Sequence, residues 1–229
     1  MRAHWVTGAG GVRLYVEETG NPDGRPILFI HGFSQCRLAW RKQLESDLAA
    51  DFRLVAMDIR GHGRSDKPRD AYGDSRLWAG DVHAVITTLG LERPLLAGWS
   101  YGGYIICDYL RYYGEEAISG IHLVAAGTKM GTEDAQPFRG PDFAAIVPAL
   151  FSEDAEESIA ALRRFLRLCV HAELDERDLY FFLGYNAIVP PYVRRGLFSR
   201  SIWNDDLLPR LTKPVLITHG LEDAIILPA

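Results

Sequence analysis

Short apolar runs recur along the chain, at Pro26 to Ile30, Arg53 to Met57, Pro94 to Ala97, Ile118 to Ala126 and Pro214 to Thr218, with helical patterns between them. Continuous apolar runs of this length mark strands buried on both faces, as parallel sheets require. Strand and helix in alternation predict a doubly wound α/β sheet. Ahead of it, Gly8 to Gly11 and Asn21-Pro22-Asp23-Gly24 bracket the alternating segment Val12 to Glu18, which reads as a strand of an N-terminal antiparallel hairpin. Covering helices are predicted by the stripes Trp40, Leu44, Leu48; Trp78, Val82, Val85, Leu89; and Ile106, Leu110, Tyr113.

Between Ala126 and Pro214, about 85 residues carry no strand pattern, too many for a structureless loop. Ser152 is expected to cap a helix with Glu153, Asp154, Glu156 and Glu157 in its early turns and Arg163, Arg164 and Arg167 later, matching the helix dipole. The stripe of that helix is Ile159, Leu162, Leu166 and Cys169 or Val170. A second helix starts near Asp175, and Pro190-Pro191 leads to a third around Val193 to Phe198. The expected organisation is an α/β core, residues 1–127 and 207–229, with a helical lid, residues 128–206, inserted into it.

With 48% hydrophobic and 24% charged residues over 229 positions, the composition is that of one soluble globular domain. A net charge of -5 leaves no basic footprint for nucleic acid or an anionic membrane, so the expected partner is a small molecule. No run approaches the roughly 20 apolar residues of a membrane span, and the first residues lack a signal-peptide stretch. Cys36, Cys107 and Cys169 are widely spaced and odd in number, which favours reduced thiols and the cytoplasm. No metal-binding cluster is evident, and Gly8-Ala-Gly10-Gly11 lacks dinucleotide-binding spacing, so no cofactor is expected. Oligomeric state is not announced.

The chemistry centres on Gly98-Trp99-Ser100-Tyr101-Gly102. This G-x-S-x-G pattern follows an apolar strand and precedes an amphipathic helix, which puts Ser100 on a sharp strand-to-helix turn as a candidate nucleophile. Gly98, Gly102 and Gly103 are the small neighbours such a turn needs. The competing reading is a serine that merely caps a helix. His31-Gly32-Phe33 follows the strand ending at Ile30, where acyl transfer needs a backbone N–H for the developing oxyanion. Phe33 N–H and Tyr101 N–H are the expected pair of donors, with His31 bracing the turn.

These motifs, together with Asp58-Ile-Arg-Gly-His-Gly-Arg-Ser-Asp66 and His219-Gly-Leu-Glu-Asp223, stand in an order and at intervals that resemble the α/β-hydrolase superfamily over the whole chain. Each falls at the C-terminal end of a predicted strand, where open α/β sheets place their sites. The resemblance implies a serine hydrolase with Asp223 as the acid that orients a histidine, Glu222 being its near rival. Gly61, His62 and Gly63 are expected to form a structural turn. The family order is Ser, Asp, His, yet all seven histidines precede Asp223. His219 is the one weighed as a substitute base, with support of the acid loop as its other role. The expectation is therefore a chain ending before the histidine, with a final helix-strand-helix missing. Such a chain would be nearly inactive, since loss of the triad histidine costs about a millionfold in kcat.

The segment from Phe138 to Trp203 is dense in aromatic residues, which form either an apolar wall over the site or the lid's own core. The first function expected is hydrolysis of small hydrophobic esters through an acyl-enzyme on Ser100. Phe138-Arg-Gly-Pro-Asp-Phe143 is similar to the lid of some N-acyl-homoserine lactonases, and Arg111-Tyr-Tyr-Gly114 to cofactor-free perhydrolases. Epoxide hydrolases and haloalkane dehalogenases carry aspartate where this chain has Ser100. A hydrolase-fold binding protein or receptor is the reading from another class.

Overall fold

A computed structural model describes residues 1–228. Its strands are β1 (Arg2–Thr7), β2 (Arg13–Gly20), β3 (Arg25–Ile30), β4 (Phe52–Met57), β5 (Leu95–Trp99), β6 (Gly120–Val124) and β7 (Val215–Thr218); β3 to β7 lie within about two residues of the apolar runs in the sequence, β2 within about two of the alternating segment, and β1 is its hairpin partner. They form one sheet in the order β1-β2-β4-β3-β5-β6-β7. β1 pairs antiparallel with β2, and β2 antiparallel with β4, while every pairing from β4 to β7 is parallel. The register sets Ile30 beside Gly98, Trp99 beside Val124, and Val124 beside Thr218. The loops after β3, β5, β6 and β7 therefore leave the same edge of the sheet.

Alternation along the strands divides the core between two faces. Leu28 and Ile30 point into the larger cluster with Trp78, Val82, Ile106 and Leu110. Ile27 and Phe29 point the other way, against Trp40 and Leu44. The larger face is covered by α3 (Ser75–Thr88) and α4 (Tyr101–Tyr113), as the stripes predict.

The Trp40, Leu44, Leu48 stripe is not one helix. It breaks into a 3-10 turn, α1 (Arg41–Leu44) and α2 (Leu48–Asp51). Ser46 Oγ donates to Gln43 O at 2.8 Å, offering the backbone a local alternative to a continuous helix, and Leu48 is left 40% exposed.

Between β6 and β7 the chain is helical: α5 (Pro141–Leu150), α6 (Ala155–Leu168), α7 (Glu176–Ala187) and α8 (Pro191–Phe198). The cap of α6 is Asp154, which accepts from Glu157 N at 2.8 Å; Ser152 Oγ instead accepts from Asp154 N, two residues too early to cap. α5 escapes the sequence reading although Phe143, Ile146, Val147 and Leu150 are spaced as a buried helical stripe. Pro148, which lies inside the helix near its end, disguises it. Among the described residues no helix is long and apolar enough to cross a membrane.

Candidate active site

Ser100 sits between β5 and α4 with φ 53 and ψ -114, a conformation that costs a side-chain-bearing residue about 1–3 kcal/mol. Close packing of the turn requires its glycines. A Cβ on Gly102 would run into the Ile30 carbonyl oxygen, one on Gly98 would lie 2.8 Å from Gly102 backbone, and one on Gly103 2.7 Å from Gly127 O. Ser100 N donates to Val124 O at 3.0 Å, which ties the turn to β6. Ser34 (φ 58) and Ala125 (φ 42), in the neighbouring loops, are also left-handed without being glycine. Strain of this kind gathers where a fold holds a site.

Phe33, in the loop after β3, and Tyr101, the first residue of α4, line the same cavity as Ser100. Among the described residues neither amide donates to a protein acceptor. Tyr101 N–H also belongs to the first turn of a helix, where the dipole favours negative charge.

Two buried histidines hold the Phe33 loop. His31 Nδ1 donates to Gly32 O at 2.9 Å, and its Nε2 accepts from Ile59 N at 3.1 Å. His62 Nδ1 donates to Arg60 O at 2.9 Å, and its Nε2 accepts from Ser34 N at 3.2 Å. In each ring one nitrogen must stay unprotonated. Burial pushes His31 down to about 3, and burial with the neighbouring His31 pushes His62 well below its ordinary value.

Acid should therefore weaken the fold. Below the ordinary histidine value of 6.5 the unfolded chain takes up protons that folded His31 refuses until about pH 3. Each such group is expected to remove about 1.4 kcal/mol of stability per pH unit as pH falls through that window. Urea midpoints at pH 7 and pH 5 check this; equal midpoints would contradict it.

Asp223 follows β7. Its Oδ1 accepts from Ile225 N at 2.9 Å and Ile226 N at 3.0 Å, and its Oδ2 lies 3.4 Å from His219 Nε2. Asp223 and Ser100 face a second cavity of about 50 Å³, shared with Trp99 and Cys169. Glu222 points elsewhere: it is 73% exposed and pairs with His171 at 2.8 Å. The structure thus brings Ser100, Phe33, Tyr101 and Asp223 together and leaves Glu222 outside.

His219 lines the larger cavity with Ser100, but its Nε2 donates to Ile226 O at 2.8 Å, so that nitrogen has no lone pair for a proton. Among the described residues no histidine is hydrogen-bonded to Ser100 Oγ, and no group of three or more histidine, cysteine, aspartate or glutamate side chains could hold a metal ion.

The larger cavity has a volume of about 560 Å³. Phe138, Phe143, Phe165 and Phe198 from the helical segment form much of its wall, with Phe33 and Tyr104 from the sheet side. Three other aromatics of that segment, Phe181, Phe182 and Tyr185, pack on one another. Some rings of the segment thus line the cavity, and others pack on one another. Tyr104, and the cations Lys129 and Arg139 that also line the cavity, escape the sequence reading.

The family described by the alpha/beta hydrolase fold matches residues 25–229, and the chain belongs to it. The esterase RhEst1 from Rhodococcus sp. ECU1013 is 39% identical, with a TM-score of 0.94 over 99% of this chain and 83% of that one. The AB hydrolase superfamily protein YisY of Bacillus subtilis (strain 168) is 33% identical, covering 97% of this chain and 82% of its relative. A non-heme chloroperoxidase of Streptomyces lividans is 28% identical, over 96% of this chain and 82% of the other. Further relatives include epoxide hydrolases and an N-acyl homoserine lactone degrading enzyme.

Proposed function

We propose that this site hydrolyses carboxylic esters of small, hydrophobic substrates through an acyl-enzyme on Ser100. The observation that carries the reading is a serine hydroxyl on a strained turn, at an apolar cavity, beside two amides without protein partners. Ser100 Oγ attacks the ester carbonyl, and Phe33 N–H and Tyr101 N–H stabilise the oxyanion; losing one such donor typically costs about 2.7 to 4 kcal/mol. A base takes the Ser100 proton and returns it to the leaving alcohol, and Asp223 orients that base. Water then releases the acyl group.

Residues 128–206 act as the lid, whose phenylalanines exclude water and hold the hydrocarbon part of the substrate. A cyclic ester would pass through the same steps, and the names of relatives support both ester and lactone chemistry. The three free cysteines support a reducing, cytoplasmic setting.

Imidazole is supplied in the test as a general base. Release of p-nitrophenolate from p-nitrophenyl butyrate should rise with imidazole beyond the rate in protein-free buffer, and only with Ser100 present. Equal rates with Ser100→Ala would remove the nucleophile from the account.

A further inference from the structure

The larger cavity has an electrostatic character that attack by Ser100 does not use. Its walls carry two cations, Lys129 and Arg139, and no aspartate or glutamate among the described residues. The chain as a whole is acidic, at -5, so this is a local inversion of sign.

The two cations differ in what answers their charge. Lys129 Nζ pairs with Asp205 at 2.9 Å and with Asp134 at 3.2 Å. Arg139 has no ion pair or hydrogen bond to its guanidinium among the described residues, and its Nε is sealed from solvent without an acceptor. The guanidinium carbon lies 5.8 Å from the Phe143 ring and 5.8 Å from the Phe198 ring, both walls of the cavity. Aromatic faces attract a cation but leave its N–H groups unmet.

The backbone around Arg139 is fixed to the acid loop. Gly140 N donates to Ile225 O at 3.0 Å and Leu227 N to Phe138 O at 2.8 Å, and a Cβ on Gly140 would run into the Ala224 carbonyl oxygen. Arg139 is thereby held in one place relative to Asp223. A planar fork of donors in a partly dry cavity, with no carboxylate of its own, is complementary to a carboxylate brought by a ligand.

We propose that Arg139 determines specificity by binding a carboxylate at the far end of the substrate, which makes the preferred substrates hemiesters of dicarboxylic acids. This rests on the reading of Ser100 as the nucleophile. The ester carbonyl lies at Ser100, the chain between the two groups runs along the phenylalanines, and the free carboxylate meets Arg139. Ser100 Oγ bonds to the acyl carbon as the alkoxy bond breaks, and the alcohol leaves with the serine proton. Water then cleaves the acyl-serine bond, restoring the hydroxyl and releasing a dicarboxylate and a proton. No co-reactant besides water is needed.

The test is calorimetric binding to the Ser100→Ala protein, which does not turn the ligands over. Monoethyl glutarate should bind about tenfold or more tightly than the neutral diethyl glutarate, the scale of a charge-assisted hydrogen-bonded pair. With Arg139→Met added, the two should agree within about twofold, with Arg139→Lys between, since a point charge replaces the fork. The preference should also shrink as salt rises from about 20 mM to about 500 mM. Equal affinities in the Arg139 protein, no binding of either ligand, or a preference that survives Arg139→Met would each overturn the proposal. Hemiester preference without Ser100-dependent hydrolysis would fail the nucleophile alone; hydrolysis without preference would fail Arg139 alone.

Discussion

Ser100→Gly is expected to abolish imidazole-supported ester hydrolysis and, at the same time, to stabilise the fold by about 1 kcal/mol. The two effects have one cause. Ser100 occupies φ 53 and ψ -114, where a Cβ costs about 1–3 kcal/mol and glycine sits freely, less the backbone entropy that glycine loses on folding. Removing Cβ and Oγ relieves the strain and removes the nucleophile together. Ser100→Ala should lose the reaction equally and leave stability nearly unchanged, because its Cβ keeps the strain. Urea unfolding and p-nitrophenolate release on the same preparations check this. A glycine variant that unfolds earlier, or still cleaves ester above the buffer rate, would contradict it.

The largest loss of stability is expected at Asp81. Arg60 is fully buried and Asp81 2% exposed; Arg60 Nε donates to Asp81 Oδ2 at 2.7 Å and Nη2 to Oδ1 at 2.8 Å. Arg60 also donates to the carbonyls of Ala9, Ala71 and Leu77, and Asp81 Oδ1 accepts from Ala9 N at 3.0 Å. One ion pair thus joins the turn after β1, the loop after β4 and α3. Burial pushes the Asp81 carboxyl up even with Arg60 beside it. Asp81→Ala would leave a guanidinium in the core with two of its five hydrogen bonds gone and its counter-charge removed, at about 3–5 kcal/mol. That is a large part of the roughly 5–15 kcal/mol of a whole domain. A melting temperature close to that of the unaltered chain would show that water or a rearranged carbonyl takes the place of Asp81.

What could be read from the sequence was what is local. The five strands from β3 to β7 coincide with largely apolar runs, and Ser100 stands out because its glycine pattern falls between such a run and a helical stripe. Asp223 required the resemblance, since nothing in Glu222-Asp223 says which carboxylate turns inward. That depends on Ile225 N and Ile226 N, which capture one of them. Local competition also defeats spacing: Ser46 interrupts the Trp40 to Leu48 stripe, and Asp154, not Ser152, reaches the first turn of α6. Arg139 is legible only as part of the Phe138 to Phe143 stretch, because its place beside the segment after Asp223 arises from hydrogen bonds between residues distant in sequence.

The most direct test of the Ser100 site is a crystal structure of the protein after reaction with an alkyl fluorophosphonate, whose phosphonyl oxygen stands where the oxyanion would form. Phosphorus is expected on Ser100 Oγ, with that oxygen about 2.7 to 3.1 Å from both Phe33 N and Tyr101 N. Phosphorus on another residue, or an oxygen turned away from both amides, would contradict it.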